Sequence, residues 1–369
     1  MKRNRIFLVI ASILVLSMML SACGGAAAPV VEEPAAEEPV AEAPAEEEAV
    51  AEETEEETME APTLVKIGVV VAGTLEEPWY STSMDSLYNL QDNAYGVEVQ
   101  IDYTENIWGE DSLRVMSEYA DAEYDIVWSL TGSDSDYIVQ IMDQYPDVLF
   151  AHSGGGGTTL GKNSVHVWGL VHEPTYIMGM IAGMMTETNV IGMVGSFPSE
   201  DVNSEVNAYI AGAKSVNPDV VTKITFINSW WDPDKAKESA VAQIAAGADF
   251  IYPTIFGAFE AMDEAGIFGF GNYADQSDMA PDVIVAGSIL SWDSSSEYLL
   301  DAWYDFATTG NAYDNPDPVY NMMSNGAGGL LLYEDLLPDD VLAAAKAKQA
   351  EIVSGDFVVD FDISVPESE

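Results

Sequence analysis

The sequence predicts an α/β protein built from doubly wound parallel sheets and divided into two lobes. Short apolar runs rich in β-branched residues alternate with helical segments from residue 64 onward, and this alternation is typical of parallel strands covered by helices on both faces. The region contains about 305 residues, which is enough to bury two hydrophobic cores. The clearest strand–helix–strand pattern lies in residues 190–257.

In this central stretch, the apolar run Val190–Phe197 predicts a buried parallel strand, and helical spacing predicts a helix over about Asp201–Ser215. Lys223–Trp230 is the next predicted strand. Asp232 is the expected N-cap of the following helix, because Pro233 then lies in its first turn. The loops after both strands fall at the carboxyl edge of one sheet, which is where open α/β sheets bind ligands.

The C-terminal part continues the alternation of strands and helices. Val319–Met323 and Gly329–Tyr333 are predicted to be a strand pair, Asp339–Val353 a helix and Phe357–Phe361 a last strand. We expect the first lobe to comprise about residues 64–186 with part of the C-terminal segment. The second lobe is expected over about residues 187–290.

The N-terminus has the features of a bacterial lipoprotein signal peptide, predicted over residues 1–23. Basic residues precede the apolar run Ile6–Leu20, and the segment Leu20–Cys23 resembles a lipobox. Cys23 is the single cysteine, so we expect lipidation of its thiol and no disulfide in the mature chain. An ordinary signal peptide that happens to end near a cysteine is the alternative. No later run reaches the length of about 20 apolar residues that a membrane span needs.

Residues 24–63 are predicted to be an acidic, disordered linker that holds the folded part away from a membrane surface. They consist almost entirely of Ala, Glu, Pro, Val and Thr, and such a composition cannot bury enough apolar area to fold. Residues 64–369 carry nine Lys and Arg against 49 Asp and Glu. This charge excludes nucleic-acid binding, which needs a basic face, and it disfavours anionic ligands. We interpret it as a solvated acidic surface, of the kind found in salt-adapted organisms.

No motif predicts a catalytic centre, a metal site or a bound cofactor. The three histidines, His152, His166 and His172, lack metal-ligand spacing, and the Gly-x-Ser-x-Gly pattern of hydrolases is absent. The four glycines at 154–157 are not followed by the Lys-Ser/Thr pair of a phosphate-binding loop. They favour a flexible loop that allows close backbone approach.

Aromatic residues at the predicted strand ends are the candidate ligand-binding groups, because flat rings stack on planar heterocycles. Core packing is the alternative for each ring taken alone. The aromatic candidates are Trp79, Tyr80, Trp168, Trp230, Phe256, Tyr273 and Trp292. Polar side chains nearby could bind the edge of a heterocycle, and these are Thr131, Ser153, Glu173, Asn228, Asp275 and Gln276.

Several segments resemble the basic-membrane-protein family, which comprises substrate-binding lipoproteins of ABC importers related to purine nucleoside receptors. The resemblance covers most of residues 66–360 and is carried by "AYIAGAKSVNPD", "NSWWDPDKAKESA", "GADFIYP", "GNYADQSDMAPDVIVAGS" and "GAGGLLLYEDLLP". It implies a type I periplasmic-binding fold, in which two α/β lobes are joined by crossover strands and clamp the ligand between them. It also implies an ABC permease as partner.

Two positions depart from the nucleoside receptors of that family. The resemblance implies an aspartate that holds the ribose hydroxyls where this chain has Tyr273, and a basic residue where it has Ser291. The segment Asn228–Pro233 and Trp79 instead resemble a subgroup that binds free purine bases or other flat heterocycles. Flavin binding also occurs in the wider family.

We therefore expect a lipid-anchored receptor of an ABC importer that binds a purine base or nucleoside. Trp79 from the first lobe and Trp230 or Phe256 from the second are expected to sandwich the ring, while Glu173 and Asp275 bind its polar edge. Four alternatives stay open: a receptor for riboflavin, a receptor for a sugar, a ligand sensor for a membrane kinase and a nucleoside hydrolase.

Overall fold

A computed structural model describes residues 60–369. The predicted signal peptide, Cys23 and all but the last residues of the predicted linker lie outside this range. Within it, none of the helices combines the length and the apolar character required to cross a membrane.

Two six-stranded sheets form the framework of the described region. The strands are β1 (Leu64–Val70), β2 (Glu98–Thr104), β3 (Ile126–Ser129), β4 (Leu149–Ser153), β5 (Ser164–Gly169), β6 (Val190–Gly195), β7 (Val221–Phe226), β8 (Phe250–Pro253), β9 (Phe268–Gly271), β10 (Ile284–Leu290), β11 (Val319–Asn321) and β12 (Gly328–Leu332). The helices are α1 (Pro78–Asn89), α2 (Glu110–Asp121), α3 (Ser135–Ile141), α4 (His172–Met185), α5 (Glu200–Val216), α6 (Pro233–Ala245), α7 (Ala258–Ala265), α8 (Asp293–Thr309) and α9 (Asp339–Ser354).

The strand order confirms the predicted α/β class with doubly wound sheets. The first sheet runs β11-β5-β4-β3-β1-β2 and the second β12-β10-β9-β8-β6-β7. All pairs in the first sheet are parallel, and in the second only the β10–β12 pair is antiparallel. Each order reverses direction, at β1/β3 in the first sheet and at β6/β8 in the second. A crevice opens at the carboxyl ends of strands where the order reverses.

The chain crosses between the sheets after β5, after β10 and after β11. Helix α4 packs into the core of the second lobe, so the passage into that lobe precedes residue 186. Its glycines allow this packing: a Cβ on Gly179 would lie 2.0 Å from the carbonyl oxygen of Tyr209 on α5. A Cβ on Gly212 would lie 1.9 Å from the carbonyl oxygen of Tyr176. The two helices therefore lie in backbone contact.

The central stretch folds largely as its sequence predicts. Asp232 caps α6, since its side chain accepts a hydrogen bond from the backbone N–H of Lys235 at 3.1 Å, and Pro233 is the first helical residue. Strand β7 ends at Phe226, four residues before the predicted end at Trp230. Asn228 has a φ of +54°, a left-handed conformation that a strand cannot contain.

Two predictions about the C-terminal part are wrong. Strands β11 and β12 belong to different sheets and do not pair, because the chain crosses between the lobes in the segment that joins them. Phe357–Phe361 is not a strand. The tail instead packs along α5 and β7, where Asn203 Nδ2 donates to the carbonyl oxygen of Ile363 at 3.0 Å.

Candidate ligand-binding cleft

A cleft lies between the two lobes, at the carboxyl edges of both sheets. It encloses about 920 Å³ of empty space, including the part open to solvent. Loops after β1, β2, β3 and β4 form one side, and loops after β6, β7, β8 and β9 form the other. The lining residues are Glu77, Pro78, Trp79, Tyr80, Trp108, Leu130, Thr131, Gly132, Ser133, Ser153, Gly154, Gly155, Ser196, Ser199, Asp201, Val202, Trp230, Trp231, Thr254, Ile255, Phe256 and Tyr273.

Trp79 is held firmly in the wall of the first lobe. Its indole Nε1 donates to the carbonyl oxygen of Leu130 at 3.1 Å. The ring meets Tyr273 edge-on with centroids 5.5 Å apart, and it meets Trp292 edge-on at 4.8 Å. Trp292 is fully buried behind it. Because its neighbours fix its orientation, Trp79 would lose little freedom when a ligand stacks on it.

Further rings stand on the second lobe. Trp230 packs on Phe197 with centroids 5.1 Å apart, and Trp231 packs on Phe256 at 5.5 Å. Trp230 and Trp231 are 38% and 45% exposed, so both present open ring surface. The cleft is therefore walled by aromatic rings from both lobes.

Tyr273 lies on the floor of the cleft with its hydroxyl turned into the second lobe. The hydroxyl donates to Oε1 of Glu205 on α5 at 2.6 Å, and the hydroxyl of Tyr252 donates to Oε2 of the same carboxyl at 2.8 Å. Burial raises the pKa of Glu205 to about 8. The ring of Tyr273 faces the cleft, but its polar end is already occupied.

The glycine-rich loop after β4 confirms the expected close approach of backbones. A Cβ on Gly132 would lie 2.4 Å from the carbonyl oxygen of Gly154, and a Cβ on Gly155 would lie 3.0 Å from the backbone nitrogen of Asp201. Gly154 has a φ of +106°, in the region that favours glycine. Side chains at Gly132 and Gly155 would push these loops apart.

Two stacked histidines support this loop from below. The rings of His152 and His166 are 4.4 Å apart, and Nε2 of His166 lies 3.1 Å from the carbonyl oxygen of Gly154. Burial lowers the pKa of His152 to about 3 and also lowers that of His166. Both rings are neutral core groups near pH 7, and neither lines the cleft.

The structure brings seven of the predicted site residues together in the cleft: Trp79, Tyr80, Thr131, Ser153, Trp230, Phe256 and Tyr273. Trp292 supports Trp79 from behind. The hydroxyl oxygen of Ser153 accepts a hydrogen bond from Nε1 of Trp128 at 2.6 Å.

Four predicted site residues, Glu173, Asp275, Trp168 and Asn228, lie outside the cleft lining. Glu173 accepts a hydrogen bond from the backbone N–H of Ser324 at 2.7 Å, and Asp275 accepts from the hydroxyl of Tyr333 at 2.7 Å. Each of these two carboxylates therefore stabilises a nearby loop through a hydrogen bond.

Trp168 and Asn228 serve local structure as well. The ring of Trp168 packs edge-on against Phe361 of the C-terminal tail at 5.9 Å. Asn228 forms the turn that ends β7. Gln276, the remaining polar candidate, accepts a hydrogen bond from the backbone N–H of Asn272 at 2.7 Å and also lies outside the lining.

Asp201, Glu77, Trp108 and Trp231 also line the cleft, although they were not among the predicted site residues. Asp201 and Glu77 are two of 63 acidic residues, so no pattern distinguished them. Trp231 could have been found, because it follows Trp230 in the same loop and both positions face the cleft.

No Lys, Arg or His appears among the lining residues that the structure describes. Residues 60–369 also contain no group of three or more His, Cys, Asp or Glu able to hold a metal ion.

Comparisons with known proteins agree with this architecture. Residues 64–305 match the family model described as "ABC transporter substrate-binding protein PnrA-like". A purine-binding protein of Brucella abortus is 26% identical over 300 residues, which are 79% of this chain and 82% of that protein. A putative ABC transporter glucose-binding protein of Haloferax volcanii is 33% identical over 196 residues, which are 53% of this chain and half of that protein's length.

A solved structure shows the same fold. The solute-binding protein of an ABC transporter from Conexibacter woesei superposes with a TM-score of 0.64 at 18% identity, covering 80% of this chain and 98% of that chain. The predicted resemblance and the periplasmic-binding type of fold are both confirmed. The family match extends over well more than half of the sequence and includes most strands of both sheets. The chain thus belongs to the Bmp family of PnrA-like ABC transporter substrate-binding proteins.

Proposed function

We propose that this protein is a lipid-anchored receptor of an ABC importer that captures a planar heterocycle, a purine base or nucleoside, between its two lobes. The observation that supports this most is the convergence of aromatic rings from both lobes on one cleft. A ring that is stacked on both faces gains about 1–3 kcal/mol per contact. A tryptophan already fixed in place gives this gain at little entropic cost.

In this proposal, Trp79 provides one face of the sandwich and Trp230, Trp231 or Phe256 the other. Trp79 is fixed by Leu130, Tyr273 and Trp292, whereas Trp230 and Trp231 are partly exposed. Closure of the lobes would bring the second face onto a ligand already resting on Trp79. The closed form would then be recognised by the permease.

The position of Tyr273 favours a free base over a nucleoside. The family resemblance implies a ribose-binding carboxylate at this position, and this chain has a phenol whose hydroxyl is bonded to Glu205. Glu205 is 1% exposed and does not line the cleft. The ribose would therefore lose its principal acceptor.

Attachment to the membrane is part of the proposal. Acylation of Cys23 after removal of the signal peptide would place the receptor on the extracytoplasmic face. The acidic linker would let it reach the permease while its charges repel one another and keep it extended. Replacing Cys23 by Ser should abolish incorporation of labelled fatty acid into the protein, because the acylated thiol is removed.

A sugar receptor is the second candidate, and two observations favour it. The relative from Haloferax volcanii is described as a putative glucose-binding protein. The cleft also carries Thr131, Ser133, Ser196 and Thr254 beside its rings, and hydroxyl groups with aromatic faces suit a pyranose as well.

A ligand panel separates the two candidates. Thermal unfolding of the purified protein is followed with adenine, hypoxanthine, adenosine, riboflavin, glucose and ribose. A ligand present at a hundred times its Kd should stabilise the protein by about 2.7 kcal/mol. A shift with a purine base supports the proposal. A shift with glucose alone replaces it by the sugar receptor, and release of free base from adenosine would indicate a hydrolase.

A further inference from the structure

A carboxylate with an unused oxygen lies inside the cleft. Asp201, in the first turn of α5, is 8% exposed and lines the cleft. Its Oδ1 accepts a hydrogen bond from the backbone N–H of Val202 at 3.0 Å. Its Oδ2 accepts none from any described residue, and neither oxygen is in an ion pair there. Burial of a carboxylate is costly without partners, so a ligand that bonds Oδ2 would relieve that cost.

A hydroxyl without a partner lies two residues away. Ser199 occupies the N-cap position of α5, where a serine normally accepts a hydrogen bond from the first turn. No such bond forms, and its Oγ is buried with no partner among residues 60–369. A hydroxyl can donate as well as accept, whereas a carboxylate only accepts. Both residues line the cleft, so a rotation about χ1 of Ser199 would turn its unpartnered hydroxyl toward a ligand that bonds Asp201.

Asp201 also lies where the two lobes meet. A Cβ on Gly154 would be 3.6 Å from Oδ2 of Asp201, and a Cβ on Gly155 would be 3.1 Å from Oδ1. Both glycines belong to the loop after β4 of the first lobe. A group bonded to Asp201 is thus in reach of both lobes.

The charge around Asp201 is not compensated. The cleft lining holds a second acid, Glu77, and no basic side chain among the described residues. An anionic ligand placed here would face a carboxylate of the same sign, without a counter-charge and away from bulk water, where repulsion is strong. A neutral or cationic ligand meets no such penalty.

We propose that Asp201 and Ser199 determine the specificity of the cleft. The ligand class is a neutral or cationic heterocycle that donates an N–H to Oδ2 of Asp201 and accepts from the Ser199 hydroxyl at a neighbouring ring atom. Anionic rings of the same size are rejected. The inference rests on the proposed function, since it takes the ligand to be a flat heterocycle. Adenine has an amino donor beside a ring acceptor and is the positive probe.

The test measures the Kd of adenine and of urate, a planar purine that is an anion at neutral pH. The proteins are the wild type, Asp201→Asn, Ser199→Ala and the control Asp234→Asn. Asp234 is an exposed acid in the first turn of α6, outside the cleft lining, so its replacement makes the same charge change away from the ligand. An asparagine at 201 keeps the acceptor for Val202, and thermal unfolding without ligand verifies the fold.

We expect the wild type to bind adenine at least about 100-fold more tightly than urate, and Asp201→Asn to weaken adenine binding about 10- to 100-fold, as for loss of a charged hydrogen bond. The ratio of the Kd of urate to the Kd of adenine should decrease in Asp201→Asn and stay at the wild-type value in Asp234→Asn. Ser199→Ala should weaken adenine binding by about 3- to 10-fold.

Other outcomes distinguish a failure of the specificity role of Asp201 from a failure of the proposed function. If the wild type binds adenine but Asp201→Asn binds it equally well, or if urate binds as tightly as adenine, the role of Asp201 is overturned and the proposed function stands. If the wild type binds no heterocycle of the panel, the proposed function fails and the specificity pair fails with it. If Asp201→Asn does not fold, the ratio of the Kd values of adenine and urate is measured for the wild type and for Ser199→Ala. Equal Kd values for the two purines would refute the inference.

Discussion

The hydroxyl of Tyr273 donates a 2.6 Å hydrogen bond to Oε1 of Glu205, a residue that is 1% exposed. Tyr273 has a φ of +68°, a strained conformation for a residue with a large side chain. The bond to Glu205 holds the phenol in the cleft floor, where its ring packs against Trp79. The buried Glu205 of the second lobe thereby orients the ring of Tyr273, which packs against Trp79 of the first lobe.

The buried acid makes stability depend on pH. The ordinary pKa of 4.5 applies to Glu205 in the unfolded chain, and burial raises it to about 8 in the folded protein. Between these values the folded state holds the extra proton, so its stabilisation is complete below pH 4.5 and is lost as pH rises to about 8. The free energy of unfolding should fall by about 1.4 kcal/mol per pH unit from this group.

Glu205→Gln should remove that contribution. Urea unfolding at pH 5 and pH 8.5 is expected to show the variant gaining stability relative to the wild type at the higher pH. The comparison of the two proteins cancels the effects of all other titrating groups. Parallel pH profiles for wild type and variant would show that Glu205 is ionised in the folded state at neutral pH.

Tyr273→Phe tests the anchoring bond separately from the ring. The variant keeps the aromatic face and leaves Oε1 of Glu205 without its donor, which should cost about 1–3 kcal/mol of unfolding free energy. Ligand affinity should change by less than about threefold, because stacking is retained. Tyr252→Phe removes the donor to Oε2 and serves as the matched control. A large loss of affinity with unchanged stability would mean that the hydroxyl contacts the ligand.

Trp79→Ala should weaken binding of a planar ligand by about 10- to 100-fold, as expected from loss of one stacked face. Tyr88→Ala, on the same helix at a site 48% exposed and outside the cleft lining, should leave affinity unchanged. Titrations followed by calorimetry measure both. Equal affinities for the two variants would exclude Trp79 as a stacking platform.

Gly155→Ala should hinder the approach of the lobes. The new Cβ at position 155 would lie 3.0 Å from the backbone nitrogen of Asp201 and 3.1 Å from Cβ of Glu200. Bringing the two lobes together against this crowding should cost about 1–3 kcal/mol of free energy. Because the contact joins two lobes, we expect weaker ligand binding, by about 5- to 100-fold, with little change in thermal stability. Gly329→Ala, where a Cβ meets nothing within 4 Å, is the control. A drop in stability with unchanged affinity would contradict this role.

The sequence pattern predicted an element correctly where that element depends only on the residues within it. Helix α5 spans Glu200–Val216, within one residue at each end of the predicted Asp201–Ser215, and the cap at Asp232 follows from the residue types at 232–235. The end of β7 was predicted too late, because the left-handed turn at Asn228 carries no strong sequence signal. Phe357–Phe361 was predicted as a strand, yet it joins neither sheet, and the backbone that follows it, at Asp362 and Ile363, bonds to side chains of α5.

The sequence by itself determined the α/β class, the family and the set of aromatic residues at strand ends, since these follow from periodicity and from contiguous motifs. Only the tertiary structure decided which of those residues share a cleft. Glu173 and Asp275 were bound to neighbouring loops, whereas Asp201 was brought beside Gly154 and Gly155 of the other lobe. A site between lobes depends on contacts between residues far apart in the chain, and in so acidic a sequence no local pattern marks the carboxylate that meets them.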